Sequence, residues 1–273
     1  MQTIKYKWTS SGDALGPSLF FLDSEKIRKF DIMGRNVSLS IGERRCIGYF
    51  SNGKHVPCPE NRLLDSGHNC NECRLNDDFF MCMKCDGSVC LNEKLRSSCI
   101  GNKFFIYLAA FDSVIKVGIS QQFRLIERLI EQCADFGAKI AAVSDGKTVR
   151  VIEQEIRSHL NIVDRLTGDQ KHKLLFGNPN KSVNMLISSI NSLKNNGVSR
   201  YMVPTEIYDL RSYYKLDSVS YEQRKIKMVD NAKIGGSVVA VKGNIVILKN
   251  DNGFQSFNAH DIIGRHVELE NYE

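Results

Sequence analysis

The stretch Phe104-Phe-Ile-Tyr-Leu-Ala-Ala-Phe-Asp-Ser-Val-Ile-Lys-Val-Gly-Ile-Ser120 decides how the middle of the chain folds. β-Branched and aromatic residues fill two short runs, Phe104 to Ala110 and Val114 to Ile119. Asp112 and Ser113 interrupt them, which is the pattern of a β-hairpin with a tight turn. From Gln121 to Cys133 the apolar residues Phe123, Ile126, Ile130 and Cys133 recur at spacings of three and four. That spacing predicts an amphipathic helix with Cys133 in the core and with Arg124 and Arg128 on the more polar side. A strand over Ala138 to Asp145 should follow, turned by Asp145-Gly146. Next comes a helix that carries Val149, Ile152, Ile156 and Leu160 inward and leaves Glu153 near the edge of that face. A third helix is expected over Ser182 to Lys194, stopped by Asn195-Asn196-Gly197.

The two ends of the chain echo each other. Asp31-Ile-Met-Gly-Arg-Asn-Val-Ser-Leu39 returns as Asp261-Ile-Ile-Gly-Arg-His-Val-Glu-Leu269, and each copy follows a β-rich run, Pro17 to Asp23 early and Asn244 to Asp251 late. Both alternate as half-buried strands do, so the ends are expected to build one small barrel or sandwich that encloses the middle. Chance likeness of two unrelated meanders is the alternative. The expected class is therefore α+β, in four parts: an N-terminal β segment (1–45), a cysteine-rich module (46–100), a small sheet with flanking helices (101–198), and a linker with a C-terminal β domain (199–273) that pairs with the first part. In the linker, Tyr208, Tyr213, Tyr214 and Tyr221 suit either stacking on single-stranded bases or lining a core.

Eight of the nine cysteines fall between Cys46 and Cys99. Cys70-Asn-Glu-Cys73 and Cys82-Met-Lys-Cys85 are two C-x2-C pairs, flanked by Cys46 and Cys58 before and by Cys90 and Cys99 after. A C-x2-C turn lets two thiolates reach one ion, and four thiolates close a tetrahedron, so eight suffice for two structural zinc sites. Cys46, Cys58, Cys70 and Cys73 form one site and the rest the other, or the C-x2-C pairs unite and the outer four make the second. A redox pair is disfavoured because neither C-x2-C sits at a helix start in a βαβ unit. His55 and His68 lie in the module, but with enough thiols present they read as ordinary histidines.

The chain has 273 residues, 42% of them hydrophobic, and a net charge of +6. It has enough apolar material for a packed core, and a mild basic excess that favours a polyanion if clustered. The first residues lack the apolar core of a signal peptide, and no run approaches the ~20 apolar residues that span a bilayer. A soluble, cytoplasmic protein is expected, in which thiols persist and metal ligation explains them.

Phe105-Ile106-Tyr107, Lys116-Val117-Gly118, Arg128 on the next helix and Glu153 on the one after resemble, in order and spacing, the GIY-YIG nuclease superfamily between about Phe104 and Leu160. The resemblance implies a divalent-metal-dependent endonuclease acting on DNA or RNA. Tyr107 would help activate water, and Arg128, or Arg124, would steady the charge on phosphate. Glu153 would hold Mg²⁺ or Mn²⁺, with Glu155 as a substitute and His159 and Asn180 as helpers. Phe105 stands where the motif has its first glycine. Lys116 replaces the second motif tyrosine, as a phosphate contact or proton carrier. Without the resemblance, Tyr107 is a strand residue with its ring in the core and its hydroxyl capped, and Glu153 pairs with Arg157 one turn on. Across most of its length the chain is also similar to domain-of-unknown-function family 2797, through Cys46-Ile-Gly48, Cys58-Pro59, Tyr107-Leu-Ala-Ala-Phe111, Lys116-Val-Gly-Ile-Ser120 and Glu131-Gln132. Nucleic acid is the expected partner, bound with or without cleavage; a zinc-stapled protein-interaction scaffold is the remaining class.

Overall fold

The computed structural model describes residues 1–12, 14–24, 26–162, 166–195 and 197–269. Along the chain run strands β1 (Gln2–Ser11), β2 (Ala14–Asp23), β3 (Lys26–Asp31), β4 (Asn36–Arg44), β5 (Tyr49–Ser51) and β6 (Lys54–Val56). Short helices α1 (Asn71–Asn76), α2 (Phe80–Lys84) and α3 (Arg96–Gly101) follow. The middle holds β7 (Lys103–Phe111), β8 (Val114–Gln121), α4 (Leu125–Glu131), β9 (Phe136–Ser144), α5 (Gly146–Leu160), α6 (Gly168–Lys173), α7 (Pro179–Lys194) and β10 (Ile207–Asp209). The chain ends with β11 (Arg224–Lys225), β12 (Lys233–Lys242), β13 (Ile245–Asn250), β14 (Gly253–Asn258) and β15 (Arg265–Leu269). This is a mixed α+β chain of two compact units, one of residues 1–80 with 213–273 and one of 81–212. The cysteine run expected as one module over 46–100 is thus divided between them. Among the described residues no helix is long and apolar enough to cross a membrane.

The first unit is built on a nine-stranded sheet in the linear order β11-β14-β13-β12-β4-β15-β1-β2-β3. Leaving out the two-residue β11, the order reads the same from both ends once β12–β15 is matched to β1–β4. Each set of four lends its last strand to the other, β4 pairing with β12 and β15 with β1. The details repeat too. A bulge between Thr3 and Lys5 in β1 matches one between Val238 and Ala240 in β12. The Gly34 N–H donates to the Val238 carbonyl at 2.9 Å, and the Gly264 N–H to that of Thr3 at 2.7 Å. Both glycines turn the chain at positive φ, 74° and 86°, where a side chain would be strained. The repeated D-I-x-G-R motif marks the turn into each exchanged strand. Alternate residues such as Trp8, Phe21, Leu39 and Val246 supply the core. The Trp8 and Tyr6 side chains both donate to the Gly243 carbonyl, the Trp8 bond at 2.7 Å.

The second unit has a four-stranded antiparallel sheet, order β10-β9-β7-β8, in which the predicted hairpin β7–β8 supplies an inner strand and an edge strand. One face, with Ile106, Leu108, Ile115 and Val117, packs on α5 and α7 through Val149, Ile152, Ile156 and Leu186. The other face receives α4, where Leu129 fills the space left by Gly137 of β9. The predicted stripe of α4 needs correcting. Phe123 lies in a 3-10 turn before the helix and is 79% exposed, Ile126 is only half-buried, and Leu125 and Leu129 join the predicted Ile130 in pointing inward. The tighter turn shifts the phase of the helix that follows. Cys133 is buried as expected, at φ 72° just beyond the helix end. The third helix starts earlier than predicted, at Pro179, because Asn178 caps it by accepting from the Lys181 N–H at 3.2 Å. Asn196, expected in its stop signal, lies outside the described residues.

Candidate functional site

The tightest group of metal-type side chains among the described residues is Cys46, Cys58, Cys70 and Cys73, whose sulfurs all lie within 4.8 Å of one another. Of the two pairings open from sequence, this is the one in chain order. Three elements deliver the thiols. Cys46 follows β4 and Cys58 follows the β5–β6 hairpin, while Cys70 caps α1, which carries Cys73. Gly48 N–H and Cys70 N–H both donate to the Cys46 sulfur, at 3.4 and 3.2 Å, and Cys73 N–H donates to that of Cys70 at 3.5 Å. Gly48 is required there: φ is 80°, and a Cβ would run into the Val56 carbonyl. Cys46, Cys70 and Cys73 are buried, with Tyr49 and Leu64 packed against them.

Burial and the three neighbouring thiols push the Cys73 thiol far above its ordinary range, and burial raises that of Cys46. Burial also works against ionising Cys58, but the Arg62 and Glu60 backbone N–H groups, together with the Cys46 and Cys73 thiols, outweigh it and bring that thiol down. Four crowded sulfurs with backbone donors aimed at them repel one another as thiolates unless a cation sits among them. A four-coordinate thiophilic ion satisfies that arrangement, and these four cysteines can hold a zinc ion. The two histidines have other duties: His55 Nε2 contacts the Ile47 carbonyl at 2.6 Å, and His68 Nδ1 lies 3.4 Å from the Arg44 guanidinium. Cys82, Cys85, Cys90 and Cys99 lie in the second unit, each half-buried, and do not form so tight a group.

A second constellation lies in the α/β unit. Tyr107 of β7 pairs with Gly118 of β8 and Ala109 with Lys116, so strand alternation turns Tyr107, Lys116 and Gly118 to one face. The Tyr107 ring lies across Gly118 and is 1% exposed. Its hydroxyl is pushed up to about 12 by burial, opposed by the Arg128 guanidinium of α4, which is near enough to hydrogen-bond to it. Glu153 of α5 acts on the same hydroxyl by charge, and so does Glu131. Burial raises the Glu153 carboxyl above its usual range, against the pull of Arg150, Lys116 and Arg157. Lys116 Nζ donates to Gln132 Oε1 at 2.7 Å. Arg128 and Arg124 share Glu131, at 3.2 and 3.5 Å, and Arg124 also pairs with Glu127.

Tyr107 and Lys116 thus share one face of the sheet with Arg128 of α4, Arg124 of the preceding 3-10 turn joins Arg128 through Glu131, and Glu153 of α5 acts on Tyr107 and Lys116 by charge. Glu131, which neutralises both arginines, was missed as a site residue; its spacing of three from Arg128 on a helix was the available signal. Glu155 is exposed two residues from Glu153, His159 contacts Ser192 Oγ at 3.0 Å, and Asn180 is exposed at the start of α7.

No curated protein and no solved structure gives a significant match to the chain. The model of one family, described as "Protein of unknown function (DUF2797)", matches residues 34–267. That match spans most of the exchanged-strand sheet, all eight clustered cysteines and the whole α/β unit, and the chain belongs to this family.

Proposed function

We propose that this protein binds nucleic acid and that its α/β unit carries a divalent-metal-dependent phosphodiester-cleaving site of the GIY-YIG type, with Cys46, Cys58, Cys70 and Cys73 as a structural zinc site. The observation that carries the proposal is the meeting of Tyr107, Lys116, Arg128 and Glu153 from β7, β8, α4 and α5. Strand, strand, helix, strand, helix with those residue types in that order is also the order of the superfamily's motifs. Glu153 fits a magnesium-type ligand: its carboxylate is half-buried, and among the described residues it accepts no hydrogen bond. One such carboxylate completed by water and phosphate oxygens is the usual Mg²⁺ or Mn²⁺ arrangement. The ion, when bound, polarises phosphate and stabilises the leaving oxygen. Arg128 holds a phosphate oxygen and meets the charge that develops there, and Lys116 makes a second phosphate contact. Tyr107 works from beneath, its buried hydroxyl holding the Arg128 guanidinium in place. That none of the nine cysteines is joined in a disulfide suits a reducing cytoplasm.

The burial of Tyr107 favours a second reading, binding without turnover, because a hydroxyl closed off from water and protonated to about 12 is a poor proton acceptor. Labelled DNA and RNA, incubated with the zinc-loaded protein with and without Mn²⁺, separate the two. Cleavage that Glu153→Gln abolishes while salt-sensitive affinity persists supports the enzyme. Salt-sensitive affinity with no cleavage by either protein supports the binder. No salt-sensitive affinity for DNA or RNA overturns both.

A further inference from the structure

We propose that Cys82, Cys85, Cys90 and Cys99 bind a second zinc ion in a closed structural site, and that this site clamps residues 81–101 onto the first half of α5. Apolar burial does little to order the segment. Neither α2 nor α3 buries a side chain, and Met83 and Val89 are 71% and 63% exposed. Fixing so many backbone dihedrals without apolar burial is unfavourable, and metal binding is what offsets it in small thiol-rich modules.

The local geometry is that of a thiolate knuckle. Cys85 N–H turns back to the Cys82 carbonyl at 3.4 Å, and Gly87 follows at φ 92° with the Asp86 carboxylate accepting from Ser88 N–H at 2.9 Å. Donors point at sulfur: Asn92 Nδ2 at Cys82 Sγ, 3.4 Å, and the Arg96 guanidinium at Cys99 Sγ, 3.8 Å. The Cys99 and Cys85 sulfurs are each near enough to Cys82 to act on it by charge. Cys90 lies between them in sequence, half-buried. Thiolate-only ligation selects a thiophilic ion and leaves no open position for chemistry.

What the knuckle holds is α5. The Arg150 guanidinium donates to the Cys82 carbonyl at 2.7 Å, and the Gln154 amide to that of Asp86. Arg96 pairs at 2.5 Å with Asp145, the residue that caps α5. Gly146 has no room for a Cβ because the Cys99 sulfur occupies it, and Gly87 none because the Lys147 carbonyl and Val151 do. Arg150 and Gln154 flank Glu153, so the ion fixes the helix that presents this carboxylate. The proposal stands whether or not Glu153 serves in phosphodiester cleavage.

Elemental analysis and limited proteolysis of the full chain, purified without chelator, test it. Two zinc ions per chain are expected. Cys82→Ser/Cys85→Ser should retain one and become cleavable between Met81 and Gly101, whereas Cys70→Ser/Cys73→Ser should retain one and keep that segment protected. If the variants fail to fold, titration of the native protein with an organomercurial should release two zinc equivalents as the thiols react. One zinc per native chain, two zinc ions retained by Cys82→Ser/Cys85→Ser, or iron with labile sulfide in this site overturns the proposal.

Discussion

A Cβ built on Gly118 would sit 2.5 Å from both the ring and the hydroxyl of Tyr107. The glycine of Lys116-Val-Gly118 is therefore a space reserved for the tyrosine one strand away, and the two residues read from sequence as separate motif positions are one packing unit. Gly118→Ala should destabilise the second unit by about 1–3 kcal/mol, the usual cost of overpacking a tight core, and should displace the Tyr107 ring from Arg128. Urea unfolding checks the first effect, and the tyrosine near-ultraviolet dichroism the second. Unchanged stability would mean that the ring moves aside freely and cannot be holding the arginine. At this scale the sequence was partly legible. Residue type and order singled out Tyr107, Arg128 and Glu153, and a strand position offered the Tyr107 ring a place in the core, but a linear pattern could not choose between that and a hydroxyl open to water. That depends on the depth of a central strand with a helix on each face. Glu131 escaped for a related reason: its role appears only once Arg124 and Arg128 converge on it.

Elements whose periodicity was unbroken came out close to expectation; those that began with an irregular turn did not. The hairpin strands extend only slightly beyond the predicted runs and the strand before α5 starts two residues earlier and ends one earlier than expected, whereas the 3-10 turn at Gln122–Arg124 rotated the buried face of α4. The connection of the hairpin to α7 was not legible at all. Asp112, in the hairpin turn at φ 49°, accepts from the Asn178 N–H at 3.0 Å and from Lys181 Nζ at 3.2 Å, so the turn caps the helix from outside. The Asn178 backbone bond, with Lys181 and Ser113, holds this carboxyl down to about 2 against the effect of burial. A carboxyl held below its unfolded value near 4 stabilises the fold above that value, and loses the contribution as pH falls toward 2. Wild type should therefore be the more stable at neutral pH, and Asp112→Asn, which tolerates positive φ, should show a shallower fall in Tm between pH 4 and pH 2. Parallel Tm profiles for the two proteins would remove Asp112 from the helix cap.

On the scale of the whole molecule, the D-I-x-G-R repeat predicted that the chain ends form one β structure, yet it could not say which half each strand joins. Strand alternation specifies a buried face, not a partner. The exchange of β4 and β15 has an energetic consequence, because their pair is the middle of the sheet, with β12 on one side and β1 on the other. An exchanged strand in that position couples both sets of four into one cooperative unit. Deleting residues 263–273 removes β15 and leaves β1 and β4 each with an open edge at the centre. By hydrogen exchange, amides of β1–β4 and of β12–β14 should lose protection together, while those of β7–β9 in the other unit keep theirs. Were the first unit two independent halves, β12–β14 would stay protected when β15 is removed, since their hydrogen-bonded neighbours do not include it. Joint loss is the outcome that the exchanged topology requires, and it would also strip support from Cys46 directly after β4, so the zinc content of the truncated chain should fall with the protection.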